Sequence, residues 1–408
     1  MQSSRRLRHF SCFLGRTMLH YTRKSICTGV EFMLKDVLKE RDLLPILKHE
    51  DGSEVTPETW QKRRTEMLKA LETYSYGITP KIPVSVRGEI VKENARAYAS
   101  KAFEQKIEIT ITTEEHGDYT FPVWMFLPKH VKNPPVLLHL AFRFGQPLAD
   151  PPVRRVPVEE ILDHGYALVS MPYGEVMNDR LDGTISGNLA DYFGVNEKNR
   201  KPDTWGKIGM WSYGASRVMD YLQTRDDIDR EHIAVIGHSR LGKASLWAGA
   251  QDERFWCTIS NDSGYGGAAT SKGIAEDSEH SWHFGENYNR NWTWCCDNFM
   301  NYTDKEDQKP YDQSWLLACC APRLLYVGSA VEDRWADPAG EFVATVWAAK
   351  AWEMLGKTGL ITADRMPEAG EVSGEGNVGY HMRFGTHFLS REDWNNYIAF
   401  LDRHLGRK

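Results

Sequence analysis

The chain has 408 residues, 41% hydrophobic and 12% aromatic, enough to bury one large core or two smaller ones. Its formal net charge is −6, which excludes a strong positive field for nucleic acid or an anionic membrane surface. No apolar stretch approaches the roughly 20 residues of a membrane helix. Seven cysteines are present: Cys12, Cys27, Cys257, Cys295, Cys296, Cys319 and Cys320. The count is odd, two pairs are adjacent, and no CxxC spacing occurs, so neither a disulfide framework nor a zinc site is expected. They read as free buried thiols in a reducing compartment.

Six basic residues, Arg5, Arg6, Arg8, Arg16, Arg23 and Lys24, precede the first acid, Glu31. Phe10 to Leu14 is too short for the apolar block of a secretory signal. The composition fits an Arg- and Ser-containing presequence, but a disordered leader over 1–32 is the simpler expectation. A cytoplasmic location is the expectation from the same reading, the alternative being that the N-terminus shown is not the mature one. Residues 33–100 read as a helical extension. Val37, Leu38, Leu43, Leu44 and Leu47 mark its first part, and Trp60, Met67, Leu68 and Leu71 its second. Thr56-Pro57-Glu58 supplies a cap and an N1 proline for the second helix.

From residue 101 to 408 the pattern is that of a catalytic domain. Ile107, Ile109 and Ile111 alternate, Gly117-Asp118 turns, and Phe121, Val123, Met125 and Leu127 alternate again, predicting a half-buried antiparallel hairpin. Strands are then predicted at Val136 to Phe142, Ala167 to Met171, Ile233 to Ile236, Phe255 to Ile259 and Leu324 to Val327. Helices are predicted at Val158 to His164, along the face Trp205, Ile208, Trp211, Ala215, Val218 and Leu222, from Pro338 to about Leu355, and around Trp394, Tyr397, Ile398 and Leu401. Strand alternating with helix argues a mostly parallel sheet covered on both faces. With an antiparallel hairpin in front, this is the pattern of an α/β-hydrolase, a three-layer αβα sandwich.

The chemistry centres on Gly237-His238-Ser239-Arg240-Leu241-Gly242-Lys243. An apolar run ends at Gly-His-Ser and a helix of small residues follows. A strand turning sharply into a helix exposes a serine hydroxyl and aims the helix N-terminus at whatever it attacks. The alternative use of Ser239 is a plain helix cap. Leu241 stands where the common Gly-x-Ser-x-Gly elbow has glycine, and Gly242 follows one residue later.

A serine nucleophile needs a base, and the base an orienting carboxylate. In this fold the order is serine, acid, histidine. Gly385-Thr386-His387 lies just before the last helix, and His381 is its rival. Two acids compete. Asp333 follows the strand Leu324 to Val327, and Asp262 follows the strand before it; their alternative roles are an arginine-paired loop carboxylate and a turn former. Arg240 beside the serine and Lys243 one helical turn on suit a developing oxyanion and an anionic substrate.

These residues resemble the glucuronoyl esterases, carbohydrate esterase family 15. The likeness runs through Trp205 to Gly267, Asp297-Asn298-Phe299, and Glu332-Asp333-Arg334-Trp335-Ala336-Asp337-Pro338 with Gly340-Glu341-Phe342. Gly-x-Ser-Arg-x-Gly-Lys is that family's nucleophile motif and accounts for Leu241. The resemblance covers roughly residues 120–405 and implies Ser239 as nucleophile, His387 as base and Arg240 as oxyanion donor. It implies Lys243 and Trp335 as sugar contacts, with Gly285-Glu286 supplying a further one. Members place the acid after either of two strands. Asp262 falls where some carry Glu, which is one methylene longer, so Asp333 is favoured. The implied reaction is hydrolysis of esters of glucuronic acid, or its 4-O-methyl ether, on a glucuronoxylan-derived saccharide. Metal and cofactor are not expected, nor are nucleic-acid or membrane partners, and a monomer is. A deacetylase for acetylated xylan and a non-catalytic glycan-binding protein are the alternatives. The first is tested by comparing the two ester types, the second by whether a histidine reaches Ser239.

Overall fold

In the computed structural model, residues 33–142, 156–180, 183–273, 278–279 and 292–407 are described. The basic leader read at 1–32 lies outside them, as does Glu286. The described strands form one ten-stranded sheet. They are β1 (Ser85–Arg96), β2 (Ala102–Thr113), β3 (Gly117–Pro128), β4 (Val136–Ala141), β5 (Ala167–Pro172), β6 (Ile233–His238), β7 (Cys257–Asn261), β8 (Leu324–Ala330), β9 (Glu371–Ser373) and β10 (Val378–Arg383). Their spatial order is β1-β2-β3-β5-β4-β6-β7-β8-β10-β9. The pairs β5–β4, β4–β6, β6–β7, β7–β8 and β8–β10 are parallel, and both margins are antiparallel.

Side-chain alternation on the central strands divides the interior into two cores. Val136, Leu138, Val169, Ile233, Val235, Leu325 and Val327 face one; Leu137, Leu168, Ala234, Ile236, Ile259 and Tyr326 face the other. The principal helices are α1 (Leu34–Glu40), α2 (Trp60–Leu71), α3 (Val158–Asp163), α4 (Lys207–Leu222), α5 (Arg240–Gln251), α6 (Gln313–Ala318), α7 (Pro338–Met354) and α8 (Arg391–His404). The first core takes the apolar sides of α2, α4, α5, α6 and α7, and the second those of α3 and α8. The result is the expected three-layer α/β-hydrolase architecture. No helix among the described residues is long and apolar enough to cross a membrane.

The hairpin expected at 103–127 is β2–β3, with Ile107 opposite Val123 and Ile109 opposite Phe121. Two differences from the sequence reading matter. The stretch read as helical over 33–100 ends in β1, which pairs with β2 and belongs to the sheet. A strand not predicted, β10, runs parallel to β8 and contains His381. Because β10 ends at Arg383 and α8 begins at Arg391, the loop between them delivers His387 to the carboxyl ends of the parallel strands. That is the edge where open α/β sheets place their ligands.

Candidate active site

Ser239 follows β6 and precedes α5, and its backbone sits at φ 58°, ψ −129°. That conformation is strained for a non-glycine residue and costs on the order of 1–3 kcal/mol. The turn is held on both sides: the Ser239 N–H donates to the Asn261 carbonyl at 2.9 Å, and the Ser239 carbonyl accepts from the Lys243 N–H at 3.2 Å. A Cβ at Gly237 would lie 2.0 Å from the Leu241 carbonyl oxygen, so the tight bend requires glycine two residues before the serine. A Cβ at Gly242 would lie 2.9 Å from Cβ of Ser263. Glycine is therefore needed where α5 abuts the turn after β7, while Leu241 turns its side chain into the core.

The half-buried Ser239 presents Oγ to His387, 2.9 Å from Nε2. His387 Nδ1 lies 2.6 Å from Asp333 Oδ2. The imidazole is partly exposed and the carboxylate buried. Two backbone bonds join the loops that carry them: Val331 N–H to Arg383 carbonyl at 2.9 Å, and Glu332 N–H to Gly385 carbonyl at 3.0 Å.

The structure also locates the alternatives. Asp262 is buried and accepts from Arg383 Nη2 at 3.0 Å. Burial raises its carboxyl pKa well above the ordinary range; the nearby Glu341 and Asp333 charges add to this and Arg383 opposes it. One oxygen each from Asp262 and Asp333 and one His387 nitrogen lie within 4.8 Å of one another, so both acids border the imidazole and Asp333 holds the hydrogen bond. His381 is buried in β10, with Nε2 2.8 Å from Asp393 Oδ1 and Nδ1 3.2 Å from the Tyr326 hydroxyl.

Arg240 donates through Nη1 to Asp179, and its guanidinium lies over the Trp294 ring, 4.5 Å from the centroid. Lys243 is only 2% exposed. Its ammonium donates to the Ser263 carbonyl at 2.7 Å, the Tyr265 carbonyl, and Glu279 Oε2 at 2.8 Å. Trp335, in the short turn Arg334–Ala336, is 38% exposed, a large amount for a tryptophan. Glu279 was missed by the sequence reading. Its N–H donates to the Trp335 carbonyl at 2.9 Å, which links Lys243, Glu279 and Trp335. No local pattern marks Glu279; its signal is a pairing with a lysine 36 positions away.

A strained serine at a strand–helix elbow, bonded to an imidazole and through it to a buried carboxylate at the carboxyl edge of this sheet, defines the class: an α/β-hydrolase with a Ser-His-Asp arrangement. Comparison with known proteins narrows it. Residues 156–356 match the family model described as glucuronyl esterase, fungi. Carbohydrate esterase MZ0003, from an unknown prokaryotic organism, is 35% identical over 397 residues, covering 87% of this chain and 88% of that protein. The structure of a promiscuous CE15 esterase from a marine bacterial metagenome superposes with TM-score 0.79 at 33% identity, covering 89% of this chain and 96% of the other. A glucuronoyl esterase from Solibacter usitatus gives TM-score 0.77 at 32% identity, with 88% and 97% covered. The chain belongs to the glucuronoyl esterases, carbohydrate esterase family 15, and is a carboxylic ester hydrolase.

Proposed function

We propose that this enzyme hydrolyses esters of glucuronic acid or 4-O-methyl-glucuronic acid on xylan-derived saccharides, through a glucuronoyl-Ser239 intermediate. The observation that carries the reading is the hydrogen-bonded chain Asp333–His387–Ser239. Ser239 Oγ attacks the C6 carbonyl while His387 Nε2 takes its proton, and Asp333 orients the ring and stabilises the imidazolium. The Arg240 guanidinium, with the first free N–H of α5, donates to the tetrahedral oxyanion. His387 then protonates the leaving alcohol, and water, deprotonated by the same ring, releases the uronate. Trp335 supplies an apolar platform for the sugar ring. Lys243 serves the sugar through Glu279, whose carboxylate it anchors.

The test is a comparison of two substrates at equal enzyme concentration, benzyl glucuronate and acetylated xylan. A much higher kcat/KM on the glucuronate ester supports the reading. A higher kcat/KM on the acetyl ester makes the protein a deacetylase, with the sugar as the alcohol rather than the acyl group.

A further inference from the structure

An arginine used as an oxyanion donor faces a difficulty of its own. Its side chain has many rotamers, and a donor that must be ordered during the reaction contributes less than one already in place. The structure supplies the missing constraint. Asp179 lies beyond the carboxyl end of β5, with its side chain fully buried. Oδ2 accepts from Arg240 Nη1, and Oδ1 accepts from the Trp294 indole N–H at 2.9 Å. Trp294 thus receives a fixed orientation from the same carboxylate, and its ring lies beneath the guanidinium it helps to align. Lys207, at the start of α4 and also fully buried, places Nζ 3.7 Å from Oδ1.

The segment that carries Asp179 is itself pinned. The Met177 carbonyl accepts from the buried Trp211 indole at 2.7 Å. The Asn178 amide donates to the Ser186 carbonyl at 2.8 Å and to Asn188 Oδ1 at 2.9 Å. Arg240 Nε, by contrast, is buried without an acceptor among the described residues. The guanidinium is therefore gripped at one edge while donor capacity remains elsewhere on the group. The side chain is still 20% exposed, which leaves the group open to an acceptor that arrives with the substrate.

We infer that Asp179 is a positioning residue for the ester hydrolysis, acting through Arg240: it holds the guanidinium, with Trp294 beneath, in the orientation that meets the oxyanion. The inference rests on the proposed role of Arg240. It makes no contact with substrate necessary for Asp179, so its effect belongs to kcat and not to KM.

The test is a double-mutant cycle on benzyl glucuronate, with kcat and KM measured for the wild type, Asp179→Asn, Arg240→Ala and the double variant. Arg240→Ala should lower kcat by about 100-fold, the scale of losing one oxyanion donor. Asp179→Asn alone should lower kcat by roughly 10-fold or more, with KM changed by less than about threefold, and should change kcat by less than about twofold when Arg240 is already absent. An equal loss from Asp179→Asn in both backgrounds, or a change in KM with kcat intact, overturns the inference while leaving Arg240 in its role. An Arg240→Ala variant with undiminished kcat overturns the role of Arg240 itself. Should the asparagine weaken the pairing with Lys207 and the fold fail, Lys207→Met beside Asp179→Asn removes that charge, and the same cycle is read against Lys207→Met alone.

Discussion

The Arg383 guanidinium holds the carboxylate of Asp262 through Nη2 at 3.0 Å, and it holds Asp393 through Nε at 2.9 and 2.8 Å. The same guanidinium donates to the carbonyls of Phe384, Thr386 and Phe388, and so fixes the loop that carries His387. Asp262 is consequently a fastening for the histidine loop, and the orienting bond to the imidazole is left to Asp333. The two acids are separated by function although both border the ring.

This separation gives a direct expectation. Asp333→Asn removes the acceptor that sets the tautomer of His387 and should lower kcat by about 10³–10⁴-fold, the scale seen when a triad acid becomes an amide. Asp262→Asn keeps an amide oxygen that can accept from Arg383 and should lower kcat by less than about 10-fold. Steady-state kinetics on one glucuronate ester decides it. Equal losses would assign the two acids a shared role.

The two histidines should also part company. His387→Ala should lower kcat by about 10⁴-fold or more with little change in melting temperature, because its side chain is partly exposed. His381→Phe takes one donor from Asp393, which keeps Arg383 and Asn261, and removes the ring nitrogen facing the buried Tyr326 hydroxyl, and should cost roughly 1–3 kcal/mol of stability. Its surviving folded fraction should retain most of its kcat. Thermal melts beside activity assays check both. A catalytically dead, fully stable His381→Phe would reverse the assignment.

Lys243 tests the proposed sugar contact of Glu279. Lys243→Met strips the counter-charge from Glu279 and the donor from two buried carbonyls, and should destabilise the fold by about 3 kcal/mol. In the folded variant, KM for a glucuronate ester should rise as Glu279 loses its anchor. Chemical unfolding and substrate titration measure the two effects. An unchanged KM would remove Lys243 and Glu279 from sugar binding.

A pH dependence follows from Glu341. It is fully buried in the first turn of α7; its Oε1 accepts from the N–H groups of Ser263 and Gly264 at 2.8 and 3.0 Å, and its Oε2 from Ser329 Oγ at 2.6 Å. Burial pushes its carboxyl from 4.5 up to about 7 despite those bonds, and the charge of Asp333 adds to the rise. The folded state thus keeps a proton that the unfolded chain releases at lower pH. The associated stability is present below pH 4.5 and is lost as pH rises to about 7, a change of roughly 3 kcal/mol at 1.36 kcal/mol per unit. Urea unfolding at pH 5 and pH 8 should show a larger fall for the wild type than for Glu341→Gln. Equal falls would mean that Glu341 does not titrate in this range.

The parts of this site legible in the sequence were those with local signals. The run into Gly237-His238-Ser239 and the small-residue helix behind it place the nucleophile, because strand, bend and helix each leave their own period. Chain order around a predicted strand and helix narrows the base to His387 or His381 and the acid to Asp333 or Asp262, and the family resemblance tips the second choice to Asp333. What escaped depends on contacts between distant segments. β10 carries His381 and Arg383 on a fully buried strand, a polarity that argues against burial until Asp393, fixed by its capping box with Ser390, satisfies both. β1 escaped for the opposite reason: its residues are mostly exposed and mixed in charge, so no apolar alternation marks it. Glu279 and Asp179 are single carboxylates whose partners lie 36 and 61 positions away, and no spacing rule connects them.

The nucleophile itself is the decisive group, and Ser239→Ala assayed on benzyl glucuronate reaches it most directly. The variant should melt as the wild type does or slightly higher, since the substitution removes only the hydroxyl, while kcat falls by at least about 10⁴-fold. Wild-type-like melting together with substantial remaining glucuronate release would contradict the account, because the hydrolysis would then proceed without the hydroxyl that His387 faces.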